Sequence, residues 1–161
     1  MVLPALNLPS SDARIVEREG RKVIFDAIRR RYVPLTPEEW VRQCFVYYLK
    51  CEKGYPQSLM ANEMQIGLNA TRKRCDTVVY DRQLRPRMIV EYKAPTVSIR
   101  QEVFDQITRY NIVLRVDYLV VSNGLQHYCC HVDYERRTYR FVRDIPTYDA
   151  LTTGAFPLTT P

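Results

Sequence analysis

The sequence has 161 residues, which corresponds to one domain large enough to have a hydrophobic core of its own. Its formal net charge of +6 at pH 7 modestly favours an anionic partner. No apolar run is long enough to span a membrane, and the first residues lack the basic start and the cleavage site of a signal peptide, so we expect a cytoplasmic protein. The five cysteines are expected to be free thiols, because an odd number in apolar segments does not suit a disulfide framework.

The expected organisation is a single domain over residues 1–161 with a core between about residues 20 and 142. Residues 1–13 contain prolines and are predicted to form a loose arm. Residues 22–25 are compatible with either a strand or the end of a short helix. Residues 144–161, rich in Pro and Thr, are predicted to form a tail without a core of its own.

The first predicted helix begins near residue 37. Thr36-Pro37-Glu38-Glu39 has the pattern of a capping box with Pro at the first helical position, and apolar residues follow at helical spacing to about Lys50. A turn at Gly54-Tyr55-Pro56 leads to a strand around residues 64–66. This strand is predicted to pair with the strand that contains Asp76.

The next two predicted strands carry charged residues on faces that are otherwise apolar. In the first strand, Asp76 shares its face with apolar side chains. In the second, the apolar run 88–90 is followed by Glu91 and Lys93, which lie on one face two residues apart. Two acids and an amine therefore converge at one end of a predicted hairpin.

Such a set of side chains suits the hydrolysis of phosphodiester bonds. Two neighbouring carboxylates repel each other unless a divalent cation between them keeps both ionised, and Mg²⁺ (or Mn²⁺) accepts one or two carboxylate ligands. Lys93 is then a candidate for orienting the attacking water or stabilising the developing negative charge. From the spacing alone, a salt-bridged strand end is the alternative.

A second capped helix is predicted from Ser98-Ile99-Arg100-Gln101, and Gln106 and Tyr110 share one face of it because they are four residues apart. The remaining predicted elements are a strand at 117–121 beside the Glu91 strand, a hairpin at Asn123-Gly124 leading into 125–133, and an edge strand at 138–142. The order αβββαβ, with additions, predicts an α/β fold.

The charged hairpin resembles the signature of a known nuclease superfamily. Asp76 followed by Glu91-Tyr92-Lys93 resembles the PD-(D/E)xK motif, although Cys75 stands where Pro is usual. The segment 106–110 resembles the Gln-x-x-x-Tyr element found downstream of this motif in type I restriction enzymes. Over about residues 20–142, the chain resembles the amino-terminal nuclease domain of the type I restriction R subunit in a short standalone form. Further similarities are Leu35 to Glu39, Val41-Arg42-Gln43, Gly54-Tyr55-Pro56, Glu63, Lys93-Ala94-Pro95 and Ser122-Asn123-Gly124.

The resemblance implies a restriction endonuclease-like fold, with a central mixed sheet, an αβββαβ core and flanking helices. It also implies Mg²⁺-dependent hydrolysis of DNA phosphodiester bonds in DNA restriction. Asp76 and Glu91 are the implied metal ligands, and Lys93 is implied to position the water. Gln106 and Tyr110 are implied to be supporting residues. Glu63 is a candidate third acid of the metal shell.

Basic residues on both sides of the hairpin are expected to contact DNA phosphates, and they are Arg72, Lys73, Arg74, Arg85 and Arg87. A solvated basic face is the alternative interpretation of these clusters.

The expected partners are DNA and other subunits of a restriction system. The sequence contains no Gly-rich phosphate-binding loop, so the chain is expected to bind no nucleotide by that route. The resemblance to type I restriction enzymes leaves two catalytic arrangements open, a separate small nuclease or a module that uses the ATP-dependent motor of a partner. A homodimer would allow both strands to be cut. The alternative function is a non-catalytic DNA-binding or protein-binding module that retains the nuclease fold, or a structured partner protein in a defence system.

Overall fold

The computed structural model describes residues 3–68 and 71–155, except for the side chains of residues 68, 71–73 and 110. Two β-sheets and three α-helices are found in these ranges. The strands are β1 Ile15–Arg18, β2 Arg21–Asp26, β3 Arg31–Pro34, β4 Met60–Leu68, β5 Thr71–Tyr80, β6 Pro86–Tyr92, β7 Tyr118–Ser122, β8 His127–Asp133 and β9 Thr138–Val142. The helices are α1 Pro37–Glu52, α2 Gln101–Leu114 and α3 Tyr148–Thr153, and a 3-10 turn covers Gln57–Leu59.

The larger sheet has six strands in the order β4-β5-β6-β7-β8-β9. The β6 and β7 strands are parallel, and all the other neighbours are antiparallel. Central strand β6 is buried from Met88 to Tyr92, which explains its nearly continuous apolar sequence. The order α1, β4, β5, β6, α2, β7 confirms the predicted αβββαβ core.

The two long helices cover opposite faces of the large sheet. The α1 helix begins as predicted, because the backbone N–H of Glu39 donates to the Thr36 hydroxyl at 3.0 Å. Its Phe45 ring meets the Tyr92 ring edge-on at a centroid distance of 5.7 Å. Ile107 of α2 instead belongs to the cluster on the opposite face, together with Ile89 of β6. Alternate residues of β6 therefore pack against different helices.

The start of α2 differs from the prediction. The helix begins at Gln101 with Arg100 as its N-cap, and no side chain caps it. The proposed capping box at Ser98 was therefore wrong. Ile99 packs against the core cluster beneath α2, and this contact positions the chain as it enters the helix.

The amino-terminal part is more ordered than the sequence suggested. The undecided segment 22–25 lies in strand β2 of a three-stranded sheet with the order β1-β2-β3. The arm was predicted to be loose, but Leu6 and Leu8 pack against the main core. In addition, the N–H of Asn7 donates to the carbonyl of Gly124 at 2.8 Å. Burial of apolar side chains fixes this part of the arm to the domain.

The described part of the carboxyl-terminal segment, residues 144–155, packs on the core, whereas the sequence predicted a tail over 144–161; residues 156–161 lie outside the described residues. Its helix α3 buries Tyr148 and Leu151 in the main cluster. The hydroxyl of Tyr55 donates to the carbonyl of Pro146 at 2.8 Å and ties the segment to the chain that follows α1. All five cysteines are free thiols, as expected. Among the described residues, no helix combines the length and the apolar character needed to cross a membrane.

Candidate functional site

The two predicted acidic ligands lie on neighbouring strands at one end of the β5–β6 pair. Thr77 is opposite Val90, so Asp76 and Glu91 lie one residue further toward the same end. Asp76 Oδ2 accepts a hydrogen bond from the backbone N–H of Tyr92 at 2.8 Å, which ties the carboxylate to β6. The convergence predicted from the sequence pattern is therefore present in the structure.

Glu91, Lys93 and Gln106 form a hydrogen-bonded group on the α2 side of the sheet. Lys93 Nζ donates to Glu91 Oε1 at 3.0 Å and lies 3.4 Å from Gln106 Oε1. Gln106 Nε2 donates to the same Glu91 oxygen at 3.1 Å. Glu91 is only 4% exposed, whereas the Lys93 side chain is 20% exposed. The ammonium group therefore lies between the buried acid and solvent.

One oxygen of Glu91 has no partner in the described part of the chain. Glu91 Oε2 is buried and accepts no hydrogen bond. Burial, with a further contribution from the Asp76 carboxylate, raises the pKa of Glu91 to about 7. A buried oxygen of this kind is a free acceptor for a cation, and a cation bound to it would favour the ionised form of Glu91.

Arg42 of α1 contacts the acids from the other side. Its Nη2 donates to Asp76 Oδ1 at 2.9 Å and to Glu63 Oε1 at 2.5 Å, while Nη1 donates to Glu39 Oε2 at 2.7 Å. Although burial opposes it, these three carboxylates raise the pKa of Arg42. Burial raises the pKa of Asp76, and the Arg42 charge and the Tyr92 N–H only partly offset that effect. Arg42 therefore supplies positive charge within the acidic cluster.

Glu63 lies in strand β4 at an interruption of the pairing with β5. Its neighbours Asn62 and Met64 pair with Thr77 and Cys75, but Glu63 itself is skipped and has a left-handed backbone with φ of 56°. Its carboxylate binds Arg42 and also approaches the Arg74 guanidinium at 3.5 Å.

The three acids do not form a three-ligand metal set. Within residues 3–68 and 71–155, no group of three or more His, Cys, Asp or Glu side chains is arranged to hold a metal ion. Asp76 and Glu91 remain as a pair, which is enough protein ligation for Mg²⁺, because water and phosphate oxygens complete its coordination.

A buried polar network extends from Arg42 to the three-stranded sheet. Arg29 Nη2 donates to Glu39 Oε1 at 2.6 Å, and its Nε binds the fully buried Asp26. The network then returns to the site through three further hydrogen bonds, from Asn62 to Asp26, from Thr77 to Asn62, and from Tyr92 to Thr77. Nothing in the sequence indicated that Asp26, Arg29, Asn62 and Thr77 belong to the site, because polar side chains at these positions are indistinguishable from solvated ones in a single sequence.

The charges of this network are not balanced. Five carboxylates (Asp26, Glu39, Glu63, Asp76 and Glu91) are joined to three cations that are buried or partly buried (Arg29, Arg42 and Lys93). The Arg74 side chain adds little, because it is 64% exposed. When all five carboxylates are ionised, the network is short of two positive charges, which one divalent cation would supply. Without a cation, the raised pKa of Glu91 reduces this imbalance, because the carboxyl group keeps its proton to a higher pH.

The predicted DNA-contacting residues fall at two ends of the hairpin. Arg74 lies beside Glu63 at the acidic end. Arg85 binds Asp81 at the opposite end, five residues or about 16 Å along the strand from Asp76. Arg87 is also at that end, where it binds Asp117 at 2.5 Å and the carbonyl of Leu151 at 2.9 Å. The predicted side chains outside the described residues are those of Arg72, Lys73 and Tyr110.

These features define a class of protein. A mixed sheet with an αβββαβ core, acids on two adjacent strands and a Lys two residues after the second acid correspond to a restriction endonuclease-like fold. Residues 37–146 match the family model for the type I restriction enzyme R protein N terminus, about two thirds of the chain. The chain belongs to this family.

A solved structure supports the same fold. The chain is similar to a fragment described as the HsdR subunit of a type I restriction enzyme from Vibrio vulnificus YJ016, with a TM-score of 0.54 and 21% sequence identity. The match covers 74% of this chain and 25% of the fragment, so this chain spans about a quarter of the length of that protein. Comparison with curated proteins finds no match. The family and fold inferred from the sequence motifs are confirmed.

Proposed function

We propose that this domain hydrolyses DNA phosphodiester bonds with the help of Mg²⁺, as part of DNA restriction or defence. The observation that carries the proposal is the Glu91 carboxylate, which is buried beside Asp76 with one oxygen unpartnered. A buried carboxylate next to a second, partly buried one, without enough positive charge, is unfavourable in a structural role, but it suits a site that receives a divalent cation.

Asp76 and Glu91 are the residues that would hold Mg²⁺ or Mn²⁺. When bound, the metal would supply Lewis-acid stabilisation of the phosphate and a more acidic water. We assign Glu63 to the partnership with Arg42, because its carboxylate is bound by Arg42 and Arg74.

Lys93 is the residue that we propose to act on the substrate. Although burial opposes it, pairing with Glu91 raises the pKa of Lys93, so the ammonium is charged at neutral pH. From its partly exposed position it would orient the attacking water or stabilise negative charge that develops on the phosphate. The Gln106 amide contacts both Glu91 and Lys93 and would hold them in this arrangement. Tyr110, one helical turn further along α2, is a supporting residue in this proposal.

The proposed substrate is DNA held through its phosphates. Arg74 lies at the acidic end of the hairpin, and the adjacent Arg72 and Lys73 extend the same basic segment. Arg85 is 68% exposed and is a second candidate contact, whereas the protein partners of Arg87 hold it in place. We further propose a cytoplasmic protein that works with an ATP-dependent motor or other restriction subunits, or as a homodimer.

The direct test is nicking of supercoiled DNA in the presence of Mg²⁺ or of EDTA, by the wild type and by Lys93→Met. Loss of one charged group that stabilises the transition state is expected to slow cleavage by about 100-fold or more. Lys22→Met is the matched control, because Lys22 is exposed on β2, and it should cleave like the wild type. Equal cleavage by Lys93→Met and the wild type would contradict the assigned role of Lys93.

A second candidate function is a non-catalytic DNA-binding or protein-binding module. It is favoured by Arg42, whose guanidinium binds one carboxylate oxygen of Asp76, a proposed metal ligand. This alternative predicts DNA binding that weakens with salt but no metal binding and no cleavage. Metal binding without cleavage by the isolated chain would indicate instead that cutting needs the partner subunits.

A further inference from the structure

Arg42 is held at the acidic site by three anionic partners. Its guanidinium binds Asp76, Glu63 and Glu39 at distances between 2.5 and 2.9 Å. Its own Nε is buried without a partner in the described structure. The orientation of the group is therefore set by the three carboxylates and leaves one of its own donors unsatisfied.

The surroundings prevent Arg42 from moving away. The residue is 5% exposed, and its guanidinium lies 5.7 Å from the centre of the Tyr92 ring. Its partner Glu39 is itself fixed, because Arg29 and Gln43 donate to Glu39 Oε1 at 2.6 and 2.7 Å. The positive charge consequently stays next to Asp76 whether or not another cation is present.

We propose that Arg42 is a positioning residue that also competes electrostatically with the catalytic metal. It fixes the Asp76 carboxylate through Oδ1, and its permanent charge lowers the affinity of the site for a divalent cation. This inference rests on the proposed function, because it assumes that Asp76 is a metal ligand. The guanidinium keeps the acids together when the metal is absent, and the site fills only at higher metal concentrations.

The test is calorimetric titration of Mn²⁺ into the wild type and Arg42→Met, with folding verified by circular dichroism. Removal of the competing charge is expected to tighten Mn²⁺ binding by about tenfold. Structural damage alone would weaken binding, so the direction of the change separates the two explanations. Arg42→Lys keeps the charge and should remain within about threefold of the wild type.

Arg31→Met is the matched control, because Arg31 is exposed on β3 and takes part in no ion pair among the described residues. It should leave the Mn²⁺ affinity within about twofold of the wild type. Equal or weaker binding by Arg42→Met would overturn the inference while leaving the proposed function intact. Absence of Mn²⁺ binding in both the wild type and Arg42→Met would overturn both.

If Arg42→Met does not fold, a measurement on the wild-type protein tests the inference about Arg42 instead. Magnesium is titrated while the guanidinium resonances are followed by nuclear magnetic resonance. The Arg42 resonances are expected to shift in proportion to metal occupancy, several times more than those of Arg29, because only Arg42 shares a carboxylate with the proposed metal. Arg42 resonances that do not move at saturating Mg²⁺ would overturn the inference.

Discussion

Replacing Glu91 with Gln should stabilise the folded protein at alkaline pH while removing a proposed metal ligand. The pKa of Glu91 is raised from 4.5 to about 7 by burial and by Asp76. Each pKa unit corresponds to about 1.4 kcal/mol, so ionised Glu91 destabilises the folded state by about 3 kcal/mol at pH 8. Gln is neutral and nearly isosteric, and it keeps an acceptor for Lys93 and Gln106.

The sign of the pH dependence follows from where the proton is held. Folded Glu91 keeps its proton to a higher pH than the unfolded chain does, so the group lowers wild-type stability as the pH rises from about 4.5 to about 7. Glu91→Gln lacks this titration. The variant should therefore be more stable than the wild type by about 3 kcal/mol at pH 8 and by less than about 1 kcal/mol at pH 5.

Urea unfolding at both pH values, followed by the fluorescence of the single Trp40, measures this difference. EDTA must be present, because a bound cation would favour ionised Glu91 and hide the effect. Glu102→Gln is the matched control on the exposed start of α2, and it should change stability by less than about 0.5 kcal/mol. The reasoning would be refuted if Glu91→Gln were no more stable than the wild type at pH 8, or if its advantage were the same at both pH values.

Three further substitutions test the fold around the site. Leu151→Ala should lower the free energy of unfolding by about 2 to 4 kcal/mol in urea titrations, because Leu151 is only 1% exposed. A loss below about 0.5 kcal/mol would show that α3 is not part of the core. Thr36→Ala should lower the free energy of unfolding by about 1 kcal/mol, because it removes the side chain that caps the start of α1. An unchanged urea midpoint would contradict the capping role of Thr36. Thr77→Val should cost about 1 to 3 kcal/mol, because the side-chain oxygen of Asn62 and the hydroxyl of Tyr92 both lose their hydrogen bond to the Thr77 hydroxyl. Unchanged thermal stability would show that the network tolerates this loss.

The sequence was informative where regular patterns and local chemistry determine the structure. Alternation on two short strands was sufficient to bring Asp76 and Glu91 to one end of a hairpin. The position of Gln106 beside Glu91 was implied by the family resemblance, because spacing alone put Gln106 and Tyr110 on one helix face without indicating what that face contacts. Thr36 was recognisable as an N-cap because its hydroxyl satisfies a nearby backbone N–H. The N-cap depends on residues that are close in sequence, and the acid pair depends on a simple strand pairing.

The side of the site formed by α1 and the three-stranded sheet could not be predicted, because its polar residues become buried only when distant parts of the chain pack together. Glu39, Arg42 and Gln43 lie on a helix surface that a single sequence would assign to solvent, yet all three are buried. The three-stranded sheet supplies Asp26 and Arg29, and nothing in their spacing indicates contact with Asn62 or Glu39. The terminal segments were misjudged for a similar reason, since a few apolar residues such as Leu6 and Leu151 fix them to a core assembled from distant parts of the chain.

The central claim is that Asp76 and Glu91 form a site for a divalent cation, and calorimetric titration of Mn²⁺ into the wild type and Asp76→Asn tests it most directly. Asp105→Asn, an exposed change on α2, is the control. The account predicts one Mn²⁺ site in the wild type and in the control, and loss of at least about tenfold in affinity in Asp76→Asn. Equal Mn²⁺ binding by all three proteins, or no binding by any of them, would contradict it.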